Sequence, residues 1–248
     1  MGKWHYYGGG WGIFAAASHR IVTESSVLAM PEVSIGLFPD VGASFWLQQL
    51  KGQMGRLLAL TGSRLNAADA LAFGAAEFAL PSKTFDGLIA TLQELPWSGL
   101  GERDAELATG ALAALSAAWP CPLPESVWLP LADEVAAICA GDDLLAICER
   151  VQSYQGDAPA LHLAAELQGA GSPTSIYLTW EMAQRAQWLS YDEVVEMEWT
   201  VARNCLRHGD FHEGVRAKLI DRDDQPQWEP KELALVKAAN IESFFRSP

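Results

Sequence analysis

The 248-residue sequence has no apolar run near the roughly 18 residues of a membrane-crossing helix, and no signal-type apolar stretch follows Met1. No membrane partner or leader is expected, and the location is expected to be cytoplasmic. Met1-Gly2 has the start of a myristoylation signal, but Tyr6 stands where Ser or Thr belongs. Cysteine is scarce: Cys121, Cys139, Cys148 and Cys205 lie far apart with no C-x-x-C pair, which predicts reduced thiols rather than a disulfide frame. Positive charge is scarce too. Lys and Arg number 17 against 31 Asp and Glu, a net charge of −14, so no basic field exists for a nucleic-acid backbone. His208 and His212 are four apart, but Gly209 and Asp210 break the helix face between them, and no metal site is expected. Internal repeats are absent.

What is present is a chain of 50% apolar residues, able to bury a sizeable core as one large or two small domains. Residues 8–40 carry its chemistry: a glycine turn opening a helix, a pair of strands, then two carboxylates. Gly8, Gly9 and Gly10 precede the small-residue run Ala15, Ala16, Ala17 and Ser18, which predicts a tight turn entering a closely packed helix. The first amides of a helix are unpaired donors at the positive end of its dipole, so this turn is a candidate oxyanion hole. Its structural alternative is glycine used only for helix–sheet packing.

Glu32 and Asp40 are eight positions apart, each preceded by proline, and so leave defined corners of the backbone. Val33, Ile35, Leu37 and Phe38 between them form an apolar lining that would raise a carboxylate's pKa. Two acids in unlike surroundings can divide the roles of acid, base and nucleophile. The alternative is that Glu32 caps a turn and Asp40 caps a helix over residues 41–49.

These residues resemble the crotonase superfamily of acyl-CoA enzymes, and AMPEVSIGLFPDVGASFWL is similar to its 3-hydroxyisobutyryl-CoA hydrolase branch. The resemblance implies that Gly9 supplies one oxyanion-hole amide, that Glu32 is the catalytic carboxylate with Asp40 its partner, and that Gly8, Gly9 and Gly10 border the substrate. Hydratases of the superfamily carry a second glutamate two residues after the glycine triplet, where this sequence has Gly12. Hydration by paired glutamates is therefore not expected. The resemblance runs from Gly8 to about Trp228, closely in three patches and loosely over residues 83–170. Family members place a front section before the glycines, with the first core strands, the other oxyanion amide and much of the coenzyme A contact. MGKWHYY does not resemble it, so the chain reads as starting mid-domain.

The fold class expected is α/β, a partial crotonase-like ββα superhelix core over residues 1–82 followed by a mostly helical region over 83–248, with a Pro-rich linker near 119–130. Helical periodicity covers residues 41–50 and 54–60, with Gly52 and Gly62 as punctuation. Asn66 with Asp69 marks a helix start, Gly74 its end, and AEFAL a short strand. Helices follow at 83–95, 105–118, 131–139, 144–154 and 158–167. Ser172 and Pro173 open another to about Leu189, and Asp210 with Glu213 forms a second capping pair after Gly209. Lys51, Arg56 and Arg64 are the candidates for an anionic ligand, or else solvated surface charges.

By resemblance the chain hydrolyses a short acyl-CoA thioester, 3-hydroxyisobutyryl-CoA of valine breakdown, with no cofactor beyond the coenzyme A of its substrate, and assembles as a homo-oligomer. Two other readings remain: a catalytically incompetent fragment or acyl-CoA-binding module, and another crotonase reaction such as hydration or isomerisation.

Overall fold

The computed structural model describes residues 5–247, with only the backbone of 5–7; the Met1-Gly2 start lies outside the described residues. Strand β1 (His5–Tyr7) runs into helix α1 (Gly9–Ala15), followed by β2 (Ile21–Val22) and β3 (Val27–Ala29). A 3-10 turn over Glu32–Ile35 leads to α2 (Ala43–Trp46), α3 (Met54–Thr61), β4 (Arg64–Asn66), α4 (Ala67–Ala72) and β5 (Phe78–Ala79). The helices α5 (Phe85–Glu94), α6 (Gly101–Ala118), α7 (Ala132–Ile138), α8 (Leu144–Gln152) and α9 (Pro159–Ala170) come next. The chain then forms α10 (Pro173–Ala186), α11 (Tyr191–His208), α12 (Phe211–Val215) and α13 (Ala238–Phe244).

The expected strand pair does not pair with itself. β3 lies between β1, parallel, and β4, antiparallel, with Leu28 opposite Tyr6 and Leu65; β2 pairs with β5 in a separate parallel ribbon. Each strand is too short to hold a partner across a tight turn, so pairing is decided by which side chains the core needs. Leu28 and Leu65 are fully buried beneath the sheet.

The main core draws Trp11, Leu28, Trp46, Leu58 and Leu65 together with Trp128, Val135, Leu161 and Ala164. Residues on both sides of position 82 thus share one hydrophobic cluster. The Pro-rich segment is irregular, but it is pinned rather than free: the Asp69 carboxylate accepts from Ser126 Oγ at 2.6 Å and the Trp128 amide at 2.9 Å, and Trp128 Nε1 donates to the Arg64 carbonyl at 2.7 Å. Asp69 also completes the capping box with Asn66 that opens α4. Ser172 caps α10 as its sequence predicts, accepting from the Ser175 amide at 3.0 Å.

Asp210 departs from expectation. It stands at the start of α12 but makes no capping bond there; its carboxylate accepts from Ser172 Oγ at 2.6 Å and so ties α12 to α10. Glu213 turns instead to Arg216, 2.8 Å away. The small-residue run after α1 also departs, since Ala16, Ala17 and Ser18 lie exposed beyond the helix end. What packs α1 is Trp11 and Phe14, with the Trp11 and Trp46 rings 4.9 Å apart.

Candidate active site

The turn before α1 is built by Gly8. Its amide extends the ladder to the Ala29 carbonyl at 3.2 Å, and its φ of 50° with ψ of −122° is a conformation that side chains disfavour. A Cβ at Gly8 would lie 2.6 Å from Glu32 Oε1, so the glycine turn and the carboxylate touch. Gly9 and Gly10 are exposed, and as the first helical residues their amides have no intrahelical acceptor.

Glu32 is 7% exposed, and its Oε2 has no hydrogen-bond partner among the described residues. Burial pushes its pKa up to about 8; hydrogen bonding to its own backbone opposes the shift, and the nearby charge of Asp40 adds to it. The loop holding it is anchored from both sides. Val33 enters a cluster with Ile147, Ile176 and Trp180, and Phe38 one with Leu178, Val201 and Phe244. Those side chains hold the corner between the two prolines rather than only lining it.

Asp40 is half-buried, its pKa raised by burial. It does not cap the helix that follows. Only Ala43–Trp46 is α-helical, continued by a 3-10 turn to Gln49, because Val41 and Gly42 take left-handed φ values of 56° and 82° and cannot extend it. The helix is capped from afar by Glu198 of α11, whose carboxylate accepts from the Gly42 amide at 2.6 Å and the Ser44 amide at 3.0 Å. Glu32 likewise makes no side-chain cap. Both acids are therefore free of the local roles that their positions offered them.

A groove of about 480 Å³ lies beside Asp40, lined by Gly9, Gly12 and Ile13 of α1, by Asp40 and Val41, and by Glu198 and Trp199 of α11; Glu32 is not among the residues that line it. Gly12 meets Val41 closely: a Cβ at position 12 would come within 2.6 Å of the Val41 Cβ, so a glutamate there has no room while Val41 stays.

None of the three basic candidates lines this groove. Arg56 borders a separate cavity of about 300 Å³ that includes neither carboxylate. Its guanidinium donates to the Cys139 and Gly141 carbonyls at 2.7 and 2.8 Å and lies 4.9 Å from the Trp180 ring centre. Lys51 and Arg64 are exposed. All four cysteines are free thiols, and burial raises Cys139 to about 11 and Cys148 and Cys205 to about 12, which removes them as nucleophiles. His208 closes α11, and the ring of His212 in α12 is held 2.8 Å from the Leu206 carbonyl, so the two occupy different helices. Among the described residues no group of three or more His, Cys, Asp or Glu could hold a metal ion, and no helix is long and apolar enough to cross a membrane.

Glu198 and Val41 are the residues that sequence reasoning missed. The signal for Glu198 was present: Val194, Glu198, Val201 and Cys205 make one buried stripe of α11, and a charge on that stripe needs a partner.

Comparison with known proteins places the chain in a family. The enoyl-CoA hydratase/isomerase family model matches residues 5–245, and the chain belongs to that family, the crotonases. Mitochondrial 3-hydroxyisobutyryl-CoA hydrolases of Danio rerio and Rattus norvegicus are 35% and 33% identical to it over 97% of this chain. The chain spans 61% of the length of these relatives. An enoyl-CoA hydratase of Rhodobacter sphaeroides 2.4.1 and a carnitinyl-CoA dehydratase of Mycobacterium thermoresistibile have related structures. Their TM-scores are 0.79 and 0.80 at 31% and 30% identity, over 97% of this chain and 65% of each of theirs. The fold is thus a partial α/β crotonase fold, as its sequence predicts.

Proposed function

We propose that the site hydrolyses a short-chain acyl-CoA thioester, with 3-hydroxyisobutyryl-CoA the first substrate to test, as a step of valine catabolism in the cytoplasm. The observation that carries this is Glu32: a buried carboxylate with an unpartnered oxygen, touching the glycine turn and raised to about 8. The thioester carbonyl would lie with its oxygen on the Gly9 amide, where charge develops in the transition state, one such donor being worth about 3 kcal/mol. Glu32 must be ionised to act, so the rate rises with pH toward 8.

Two routes use the same residues. In one, the Glu32 carboxylate attacks the carbonyl carbon, the C–S bond breaks and coenzyme A leaves as thiolate, and the acyl–Glu32 anhydride that remains is opened by water. In the other, Glu32 takes a proton from water as that water attacks, and the proton passes to the departing thiolate. Asp40 holds Glu32 or carries the proton. No cofactor is called on beyond the coenzyme A of the substrate, and neither nucleic acid nor membrane takes part. Gly12, with Val41 closed against it, supports hydrolysis over paired-glutamate hydration, although the related solved structures bear hydratase and dehydratase names.

A panel of acyl-CoA esters read by free-thiol release tests the proposal. Release that falls by about 10²–10⁴-fold in Glu32→Gln supports it; release unchanged by that substitution, or absent for every ester, overturns it. A single turnover in ¹⁸O-water separates the routes, since only the anhydride path leaves label in Glu32. The second reading, an acyl-CoA-binding module without turnover, is favoured by the exposure of Gly9 and Gly10 and of Ile13, which is 80% exposed at the groove. Binding of a coenzyme A ester with no thiol release is its signature.

A further inference from the structure

Asp40 stands two residues before the Gly42 amide, the spacing at which an aspartate closes an Asx turn on the backbone. Here that turn is not made. The Gly42 amide goes to Glu198, which reaches it at 2.6 Å from 156 positions away while itself only 5% exposed, and takes the Ser44 amide at 3.0 Å as well. The Asp40 carboxylate is left with no hydrogen bond to another described residue and remains close enough to Glu32 for its charge to act there.

The backbone shows that this is an imposed arrangement. Val41, a β-branched residue, holds a φ of 56°, a conformation that persists only where its surroundings over-determine it. Two neighbours do so: Gly12, whose missing side chain leaves room for Val41, and Glu198, which fixes the next amide. Glu198 also accepts both donors while lying on the buried stripe of α11, where among the described residues no cation pairs with it. The Gly42 and Ser44 amides at the start of α2, with the Ser44 hydroxyl, oppose the upward shift that burial gives its pKa.

We infer that Glu198 is a positioning residue: by holding the Gly42 and Ser44 amides it denies Asp40 its local cap and keeps that carboxylate available beside Glu32. The kinetic consequence rests on the role proposed above for Asp40; the structural consequence does not. Among the described residues the titratable side chains around Asp40 are Glu32 from the 3-10 turn and Glu198 and Tyr191 from α11, while the groove-lining residues of α1, Gly9, Gly12, Ile13 and Ala16, bring none.

The test uses Glu198→Ala and the near-isosteric Glu198→Gln in the full chain, with NMR of the Gly42 amide and the Asp40 carboxyl beside thiol-release kinetics. In Glu198→Ala the Gly42 amide is expected to remain hydrogen-bonded, now to Asp40, and the Asp40 carboxyl to titrate lower than in the parent, because an amide donor favours its charged form. The kcat is expected to fall about tenfold or more with KM within threefold, since misplacement of a catalytic group by about 1 Å costs up to 10²-fold. Glu198→Gln, which keeps one acceptor oxygen, loses less. In an Asp40→Ala background the Glu198→Gln loss should vanish, because the residue acts through Asp40. An equal loss in both backgrounds overturns the inference, as does an Asp40 titration that Glu198→Ala leaves unchanged. A folded parent with no thiol release overturns the functional reading alone, and the amide and carboxyl measurements then still decide the positioning role.

Discussion

The corner that carries Asp69 and the loop that carries Glu32 are built from similar parts, yet they use a buried acid in opposite ways. Asp69 is fully buried and accepts from the Asn66 amide at 3.1 Å, from Ser126 Oγ at 2.6 Å and from the Trp128 amide at 2.9 Å. Every donor it meets belongs to the backbone or side chains that it holds in place. Glu32 is nearly as buried, but one oxygen has no partner among the described residues, and the chain turns a glycine toward it instead of a donor. A saturated buried acid serves as a joint, whereas one left unpaired is held at a cost in stability that the fold must offset elsewhere.

The largest test of that contrast is the pH dependence of Glu32→Gln. The folded pKa of Glu32 is raised from the ordinary 4.5 to about 8. The stability tied to its neutral form is therefore complete below the unfolded value and is lost as pH rises through the folded one, by up to roughly 5 kcal/mol. Urea melts should show Glu32→Gln more stable than the parent at pH 8.5 by a few kcal/mol, with the gap closing toward pH 4.5. A gap of the same size at both pH values would mean that Glu32 is not held against its charge.

Asp69→Ala is the reverse experiment. It removes one carboxylate but strands three donors, two of them backbone, at about 1–3 kcal/mol each before relaxation. A loss near 4 kcal/mol is expected, with the 125–128 segment opening to proteolysis and the pH profile of any activity unchanged. If the loss stays below about 1 kcal/mol, the pin is redundant and the two regions differ less than their hydrogen bonds imply.

Much of this contrast was legible in the residues. The Asn66 and Asp69 box, the Ser172 cap and the Gly62 and Gly209 stops each depend on neighbours within four positions, and local chemistry decides them. Glu32 and Asp40 could be singled out because proline corners and apolar flanks mark them. What escaped depends on distant partners. The Gly42 cap comes from Glu198, the irregular 119–128 segment is held by Asp69, and β2 finds β5 rather than β3. Asp210 has the spacing of a cap because it precedes Glu213 by three, yet its acceptor oxygen is claimed by a serine 38 positions earlier. Spacing cannot register such competition.

Gly12→Ala sharpens the comparison at the site. In an exposed helix interior that change is worth about 1 kcal/mol in favour of alanine. Here the new Cβ meets the Val41 Cβ at 2.6 Å and the Val41 carbonyl at 3.3 Å, and overpacking of this kind costs about 1–3 kcal/mol. Contact outweighs propensity, for a net loss near 1 kcal/mol in thermal melts and a larger loss of turnover through the displaced Asp40. In a Val41→Gly background the clash is gone and the same substitution should turn stabilising. A stabilising effect without that second change would show that the loop yields freely, and that Val41 does not close the place of a second glutamate.

Arg56 gives the smallest expected effect on turnover and the cleanest division between joint and site. Its residue type and position made it a candidate for an anionic ligand. Its guanidinium, however, is committed to the Cys139 and Gly141 carbonyls at the end of α7 and to the face of Trp180. Two carbonyl bonds at a half-exposed site and one cation–π contact amount to about 1–2 kcal/mol together. Arg56→Gln is expected to lose that much in a urea melt and to leave kcat/KM for a coenzyme A ester within twofold. A tenfold rise in KM with stability unchanged would move Arg56 from the structural class to the binding site and carry the ligand's path from the groove beside Asp40 toward the cavity that Arg56 borders.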